Sequence, residues 1–451
     1  LTNESAYNGL VFTGAVKTES GKAHLVAPAG TTIEVPVKAG QNVNVGYYYQ
    51  ADFTVNGQTV TSNSGSTSKF ESSDFTANAD GTLTITVNTL TYFTGITVGT
   101  KVPYAENIYV GADKEYKTIN DALAAVRLMD RPNSERVTIN VDPGDYQEML
   151  VIDVDNVTLK NTAANPDTAL INKGVNITEN GVRVTSYYIH GYNYFSMTDD
   201  CKYDEEVLKT NKENGYLSFE NPGSGTTKNS YWNATVTVRG TGFEADGIIF
   251  ENSANQYIST KEANDVVQEW TVGGKGTRPT TAGDTSVQNK SFVERAAAIA
   301  ILGDKAYFNN CKFVGRQDTL YGASNIRAAF NKCTAMGGTD FIFGGMVATF
   351  YKSDIMMNTS EDNNDVAYLT AAQQASGRGY LMYDCNVVST TPGVDTASEY
   401  VSKPGYFGRP WQATTSEVAF VNTTVGVASD GTSLVTPAGW SASLGGEANC
   451  Y

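Results

Sequence analysis

The sequence predicts an all-β protein: a right-handed parallel β-helix, a solenoid of stacked coils, preceded by a small β-sandwich. Three observations lead there. Residues 307–322 (YFNNCKFVGRQDTLYG) recur at 329–344 (AFNKCTAMGGTDFIFG) with a shift of 22 residues, and self-similarity at that period marks a stacked-repeat fold. The repeated unit is short, rich in β-branched and aromatic residues and broken by Gly, which suits strands rather than helices. The first hundred residues have a different rhythm, short alternating strands separated by Gly, Asn and Asp, as in a sandwich.

Taken in order, TTIEVPV (31–37), NVNVGYYY (42–49), LTITV (83–87) and TYFTGITV (91–98) are the clearest strands of a first domain over residues 1–100. The last of them resembles the closing strand of jelly-roll carbohydrate-binding-like modules. A spacer or stability module fits the same residues. Lys101-Val102-Pro103 reads as a linker into a second domain, 104–451. That domain opens with a strand at 108–110 and a helix near 118–128, where Thr118 can cap and Asp121 stands in the first turn. Ile119, Ala122, Leu123 and Val126 give its apolar stripe. Such a helix covers the exposed edge at the open end of a solenoid. VTINVDPGDYQEMLVI (137–152) and NVTLKN (156–161) form the first coils, followed by 236–254, the repeat itself, 347–357, 379–388 and 417–425. Two long polar stretches interrupt the coils, about 187–233 and 254–292. Their aromatic residues, among them Tyr187, Tyr188, Tyr257 and Trp270, either wall a cleft or pack the loops onto the solenoid.

Within the repeat, neighbouring coils lie about 4.8 Å apart, so residues 22 apart stack. Asn309 and Asn331 then form an amide ladder, and Phe308 and Phe330 an aromatic stack. Cys311 and Cys333 form either a disulfide or an unoxidised buried stack. Asp318 and Asp340 differ in kind. Two carboxylates roughly 5 Å apart repel, and one must hold a proton near neutrality. A fold keeps such a pair when its chemistry needs an acid beside a carboxylate.

Composition narrows that chemistry. Thirty-two basic against 48 acidic residues give a net charge of −16, which argues against nucleic acid as a partner and against tight binding of a bare polyanion. No apolar run approaches the length of a membrane span. Abundant Gly, Asn, Thr, Ser and Tyr with only 18% charged residues suit a secreted or cell-surface-attached monomer. The chain starts at Leu1, so any signal peptide is expected to have been removed or left out. Five cysteines leave at least one unpaired within the chain. His24 and His190 are the only histidines and both precede the repeat by more than a hundred residues, which argues against a Ser-His-Asp esterase and a multi-histidine zinc site. No metal and no cofactor is expected. The reaction must rest on carboxylates, arginine and amides.

QDTLY (317–321), DFIFG (340–344) and GRPW (408–411), with GDYQE (144–148) upstream and Gly439-Trp440 late in the chain, resemble the signature motifs of the pectin methylesterases. The resemblance covers roughly 104–451. It implies hydrolysis of the methyl esters of polygalacturonate, with release of methanol. Asp340 is then the nucleophile and Asp318 the general acid and base. Gln317 is an oxyanion donor, and Arg409 holds Asp340 ionised. Trp411, Arg295 and Phe341 are the candidate substrate contacts. Position 295 departs from the family, whose second oxyanion glutamine stands 22 residues before Gln317. An arginine there can donate to the oxyanion, pair with Glu294, or read a free uronate. Other readings of the scaffold are a different uronate-cleaving β-helix, a non-catalytic pectin-binding protein, and an esterase for another acyl group.

Overall fold

The structure, a computed structural model, describes the chain apart from residues 1–3, 8, 19–23, 66–69, 190–233, 266–268, 271–275, 361, 363, 413 and 445–451. It divides into two compact units. One is built on residues 1–105 and 124–131, the other on 106–123 and most of the chain from 132 onward.

The first unit is two antiparallel sheets, one of six strands and one of five. In Thr32–Val37 the alternating sequence TIEVPV buries Ile33, Val35 and Val37 and exposes Glu34 and Pro36. The core between the sheets holds Val43, Val45, Phe53, Val55, Ile85 and Phe93. Residues 101–103 are tied down within this unit. Val102 bridges Met129, and Lys101 Nζ lies 3.0 Å from Asp130 Oδ1.

The second unit is a parallel β-helix with sheets of nine, eight and seven strands. A complete coil contributes one strand to each sheet, the end coils fewer, and the 22-residue repeat is one full coil. In the nine-stranded sheet Phe308 pairs with Phe330 and Asn309 with Asn331. In the seven-stranded sheet Leu320 pairs with Ile342 and Gly322 with Gly344. Inside the coil, Phe308, Phe330 and Phe350 stack with ring planes within 5°. At the turn into the next sheet, Asn331 Nδ2 donates to Asn309 Oδ1 at 2.8 Å, and Asn309 Nδ2 donates to Asp246 Oδ1 at 2.7 Å. Amide groups stacked one coil apart satisfy each other along the axis, which is the ladder the sequence implied. Two residues further along their coils, Cys311, Cys333 and Cys385 are free, buried thiols, with Ser353 in the coil between the last two. Of the two arrangements open to Cys311 and Cys333, the unoxidised stack is the one formed.

The expected helix spans Ile119–Arg127. Thr118 Oγ1 accepts from the Asp121 N–H at 3.0 Å. The Glu148 carboxylate accepts from the Ile119 and Asn120 N–H groups, each at 3.0 Å. Glu148, the last residue of GDYQE, therefore satisfies the unpaired donors of the helix N-terminus. Of the aromatic residues in the two long polar stretches, Tyr187, Tyr188 and Tyr257 are buried. Tyr187 Oη donates to Asp265 Oδ2 and Tyr257 Oη to Glu251 Oε1, so these three pack the stretches down. The remaining part of the first stretch, 190–233, lies outside the described residues, as does the Trp270 side chain.

Candidate active site

Each aspartate sits in the turn that leads into a strand of the seven-stranded sheet. The two turns run Gly315-Arg316-Gln317-Asp318 and Gly337-Gly338-Thr339-Asp340, before strands Leu320–Gly322 and Ile342–Gly344. Asp318 has φ 59° and Asp340 φ 53°. This left-handed conformation is one that aspartate and asparagine tolerate better than other side-chain-bearing residues. The coils are locked together there. Asp318 N–H donates to Thr339 O at 3.1 Å and Leu320 N–H to Phe341 O at 2.8 Å. With Leu320 opposite Ile342, the two aspartates occupy equivalent places on adjacent coils. Both are nearly enclosed, at 6% and 4% exposure.

Gly337 has a steric reason. A Cβ there would come 2.2 Å from Phe341 Cβ and 3.0 Å from Thr319 Oγ1. Phe341 itself, expected to touch substrate, is fully buried. Its ring belongs to the packing behind the Asp340 turn, which is why the neighbouring position has no side chain.

Arg409 reaches Asp340 from a later coil. Its Nε donates to Asp340 Oδ1 and its Nη2 to Oδ2, each at 2.6 Å. This is a bidentate fork, the strongest common form of a carboxylate pair. The loop bearing it is laid along strand Tyr368–Ala372. Arg409 N–H donates to Thr370 O at 3.0 Å and Trp411 N–H to Ala372 O at 2.9 Å. That strand in turn pairs with Ile342–Gly344. The late Gly439-Trp440 element closes on the same loop. Phe407 N–H donates to Gly439 O at 2.8 Å, and the Trp440 ring packs against the contacting pair Phe407 and Phe420. Trp411 is half-buried, and its indole N–H has no hydrogen-bond partner among the described residues.

Burial pushes the Asp340 carboxyl above the ordinary aspartate range, and the hydrogen bonds and charge of Arg409 pull against that without cancelling it. Gln317 is partly exposed beside the pair. Arg295 bridges Gln317 one coil earlier through the backbone, as the 22-residue spacing implied. Its side chain is 5% exposed, with Nε 3.5 Å from Glu294 Oε1. Among the described residues, no group of three or more His, Cys, Asp or Glu side chains is placed to hold a metal ion.

One residue escaped the sequence reading. Tyr368 follows Asp340 in the same column of the sheet, since Ile342 pairs with Thr370. The Arg409 guanidinium carbon lies 4.2 Å from the centre of its ring. The coil between them is longer than 22 residues, so the repeat that matched Asp318 to Asp340 does not extend to it.

Residues 258–449 match the family model described as Pectinesterase. The chain is 27% identical over 232 residues to Pectinesterase A of Emericella nidulans, an alignment covering 51% of this chain and 60% of that protein. It is 28% identical over 242 residues to Pectinesterase 4 of Arabidopsis thaliana, covering 53% and 35%. The chain thus spans less than two thirds of the length of either relative. Among solved structures, the pectin methylesterase of Aspergillus niger is 22% identical with a TM-score of 0.46, over 77% of this chain and 83% of that one. Gln317, both aspartates, Arg409 and Trp411 fall inside the span that the family model matches, and residues 258–449 of this chain belong to the pectinesterase family.

Proposed function

We propose that this protein is a secreted, monomeric esterase that hydrolyses the methyl esters of polygalacturonate and releases methanol. The observation that carries the reading is the Arg409 fork on Asp340, with Asp318 in the equivalent place one coil away. A carboxylate held by two charge-assisted hydrogen bonds keeps a fixed orientation and a share of its charge despite burial. It is suited to nucleophilic attack.

In this mechanism an Asp340 oxygen attacks the ester carbonyl carbon. The Gln317 amide stabilises the oxyanion as it forms, and Arg295 adds a donor from the coil below. Asp318, protonated beside a neighbouring carboxylate, gives its proton to the departing methoxide, and methanol leaves. The acyl group is then an anhydride on Asp340. The Asp318 carboxylate takes a proton from water, whose oxygen attacks the acyl carbon. The uronic acid leaves and loses its proton to solvent, Asp340 is a carboxylate again and Asp318 is again protonated. Trp411 offers a ring face to a galacturonate residue beside the ester.

Methanol release from highly methylated pectin is the direct test. Asp340→Asn and Asp318→Asn should each lower kcat by on the order of 10²-fold or more, with unchanged circular dichroism. Activity within tenfold of wild type in either variant would return that residue to a structural role.

A further inference from the structure

Along the seven-stranded sheet, Asp318, Asp340, Tyr368 and Tyr406 follow one another in a single column, one per coil. The two tyrosine rings stack with centroids 5.5 Å apart and planes within 8°. The Arg409 guanidinium lies over the Tyr368 ring and forks onto Asp340. Arg409 is thus held at its edge by a carboxylate and on its face by an aromatic ring.

We propose that Tyr368 is a positioning residue for the aspartate pair: its ring, backed by Tyr406, fixes the plane of the Arg409 guanidinium so that both N–H donors stay on Asp340. The inference rests on the esterase reading for its consequence in turnover, though not for its structural content.

The physical case is one of geometry. A guanidinium can donate in five directions, and arginine is a long side chain with several rotatable bonds. A bidentate fork requires the guanidinium plane to coincide with the carboxylate plane, and the long arginine side chain has other rotamers in which only one of the two bonds is made. A flat π face against the guanidinium removes that freedom, because the cation is attracted to the ring and tilting costs that contact. Tyr406 supplies the same restraint to Tyr368 from the next coil. The strand that carries Tyr406 runs into Gly408 and Arg409, so the last member of the stack and the arginine are set by one short segment.

The consequence is a pH dependence. Arg409 is in direct contact with Asp340, and Arg409 in turn feels Tyr368 and Asp318, the other groups here that can carry charge. Arg409 is what opposes the effect of burial on Asp340. If the ring is lost and the fork loosens, that opposition weakens and the Asp340 pKa rises further. The nucleophile must be ionised, so the acid limb of kcat/KM moves to higher pH.

The experiment compares wild type with Tyr368→Phe, Tyr368→Leu and Tyr368→Gln. It uses two readouts: the pH profile of methanol release, and titration of the Asp340 carboxyl carbon by 13C NMR, assigned with Asp340→Asn. The phenyl ring of Tyr368→Phe should leave both where they are in wild type. Leu and Gln should raise the carboxyl titration and the acid limb together by about half to one pH unit, with plateau kcat within a few-fold of wild type. Two different replacements keep the test open if one fails to fold, since position 368 is only half-buried. An Asp340 titration unmoved in folded Leu and Gln variants overturns the inference. So does a Phe variant that shifts as far as they do. A wild type that releases no methanol, with the NMR shift present, leaves the positioning role standing and removes the esterase reading instead.

Discussion

Arg295 stands where the family resemblance calls for a glutamine, and its surroundings sharpen the alternatives. Its backbone bridges Gln317, so the side chain starts from the coil directly below the proposed oxyanion donor. Its Nε is 3.5 Å from Glu294 Oε1, beyond a good hydrogen bond, so that pair is a loose one. An oxyanion role predicts that Arg295→Gln keeps most of the activity and Arg295→Ala loses about 10–10³-fold in kcat on highly methylated pectin. A role in reading free uronates predicts instead that Arg295→Gln raises KM on partly de-esterified pectin alone. Wild-type kinetics for Arg295→Ala on both substrates would discard both. At this scale the candidate groups stood out in the sequence because each carries its own chemical signature, and the structure brings Asp340 and Arg409 into contact. Two repeating carboxylates cannot be explained by packing, and GRPW supplies an arginine beyond the repeat. Phe341 is buried behind the Asp340 turn, a packing role that a residue beside a reactive group takes as readily as a place in the cleft. Tyr368 gave no signal, because its role depends on a coil length that only the structure shows.

At the scale of the element, the solenoid was readable because every coil repeats the same solution. The Phe308–Phe330 stack and the Asn309–Asn331 ladder follow from the 22-residue period and the strand spacing alone, whereas Phe350 joins the stack from a shorter coil that the period does not give. What the period could not supply is the detail inside a turn. Gly337 aligns with Gly315 in the repeat, yet its neighbours differ. A Cβ at Gly337 meets Phe341 Cβ, an atom fixed to the backbone, so the turn itself would have to shift. Gly337→Ala should therefore destabilise the protein by about 1–3 kcal/mol in urea or thermal unfolding. It should also lower kcat through displacement of Asp340, which lies three residues on in the same turn. Full stability and activity in that variant would show that the turn relaxes freely. The ends of the solenoid were less legible. Glu148 in GDYQE carries the same kind of side chain as a catalytic acid, but it binds the N–H groups of the Ile119–Arg127 helix, a role that depends on which helix lies over it.

For the whole molecule the decisive quantity is the charge of −16. Each turnover of the proposed reaction converts a neutral ester into a carboxylate, so the substrate chain grows more negative as the reaction proceeds. A protein of like charge repels that chain at long range, and the repulsion is screened over roughly 10 Å at 0.1 M salt. The acidic balance therefore favours methylated stretches over cleared ones without any specific contact, and it speeds departure of the product. Raising the ionic strength from about 0.01 to 0.15 M, where screening tightens from roughly 30 to 8 Å, should lower KM on sparsely methylated pectin. KM on fully methylated pectin and kcat on both should stay constant. The sign also isolates Arg295. If that arginine binds a free uronate directly, its attraction weakens as salt rises, which opposes the global trend, and Arg295→Gln should make the fall in KM steeper. An oxyanion role leaves the slope of KM against salt the same in the two proteins. A KM on sparsely methylated pectin that rises with salt in both would mean that local positive groups in the cleft, rather than the net charge, govern how the polysaccharide is met.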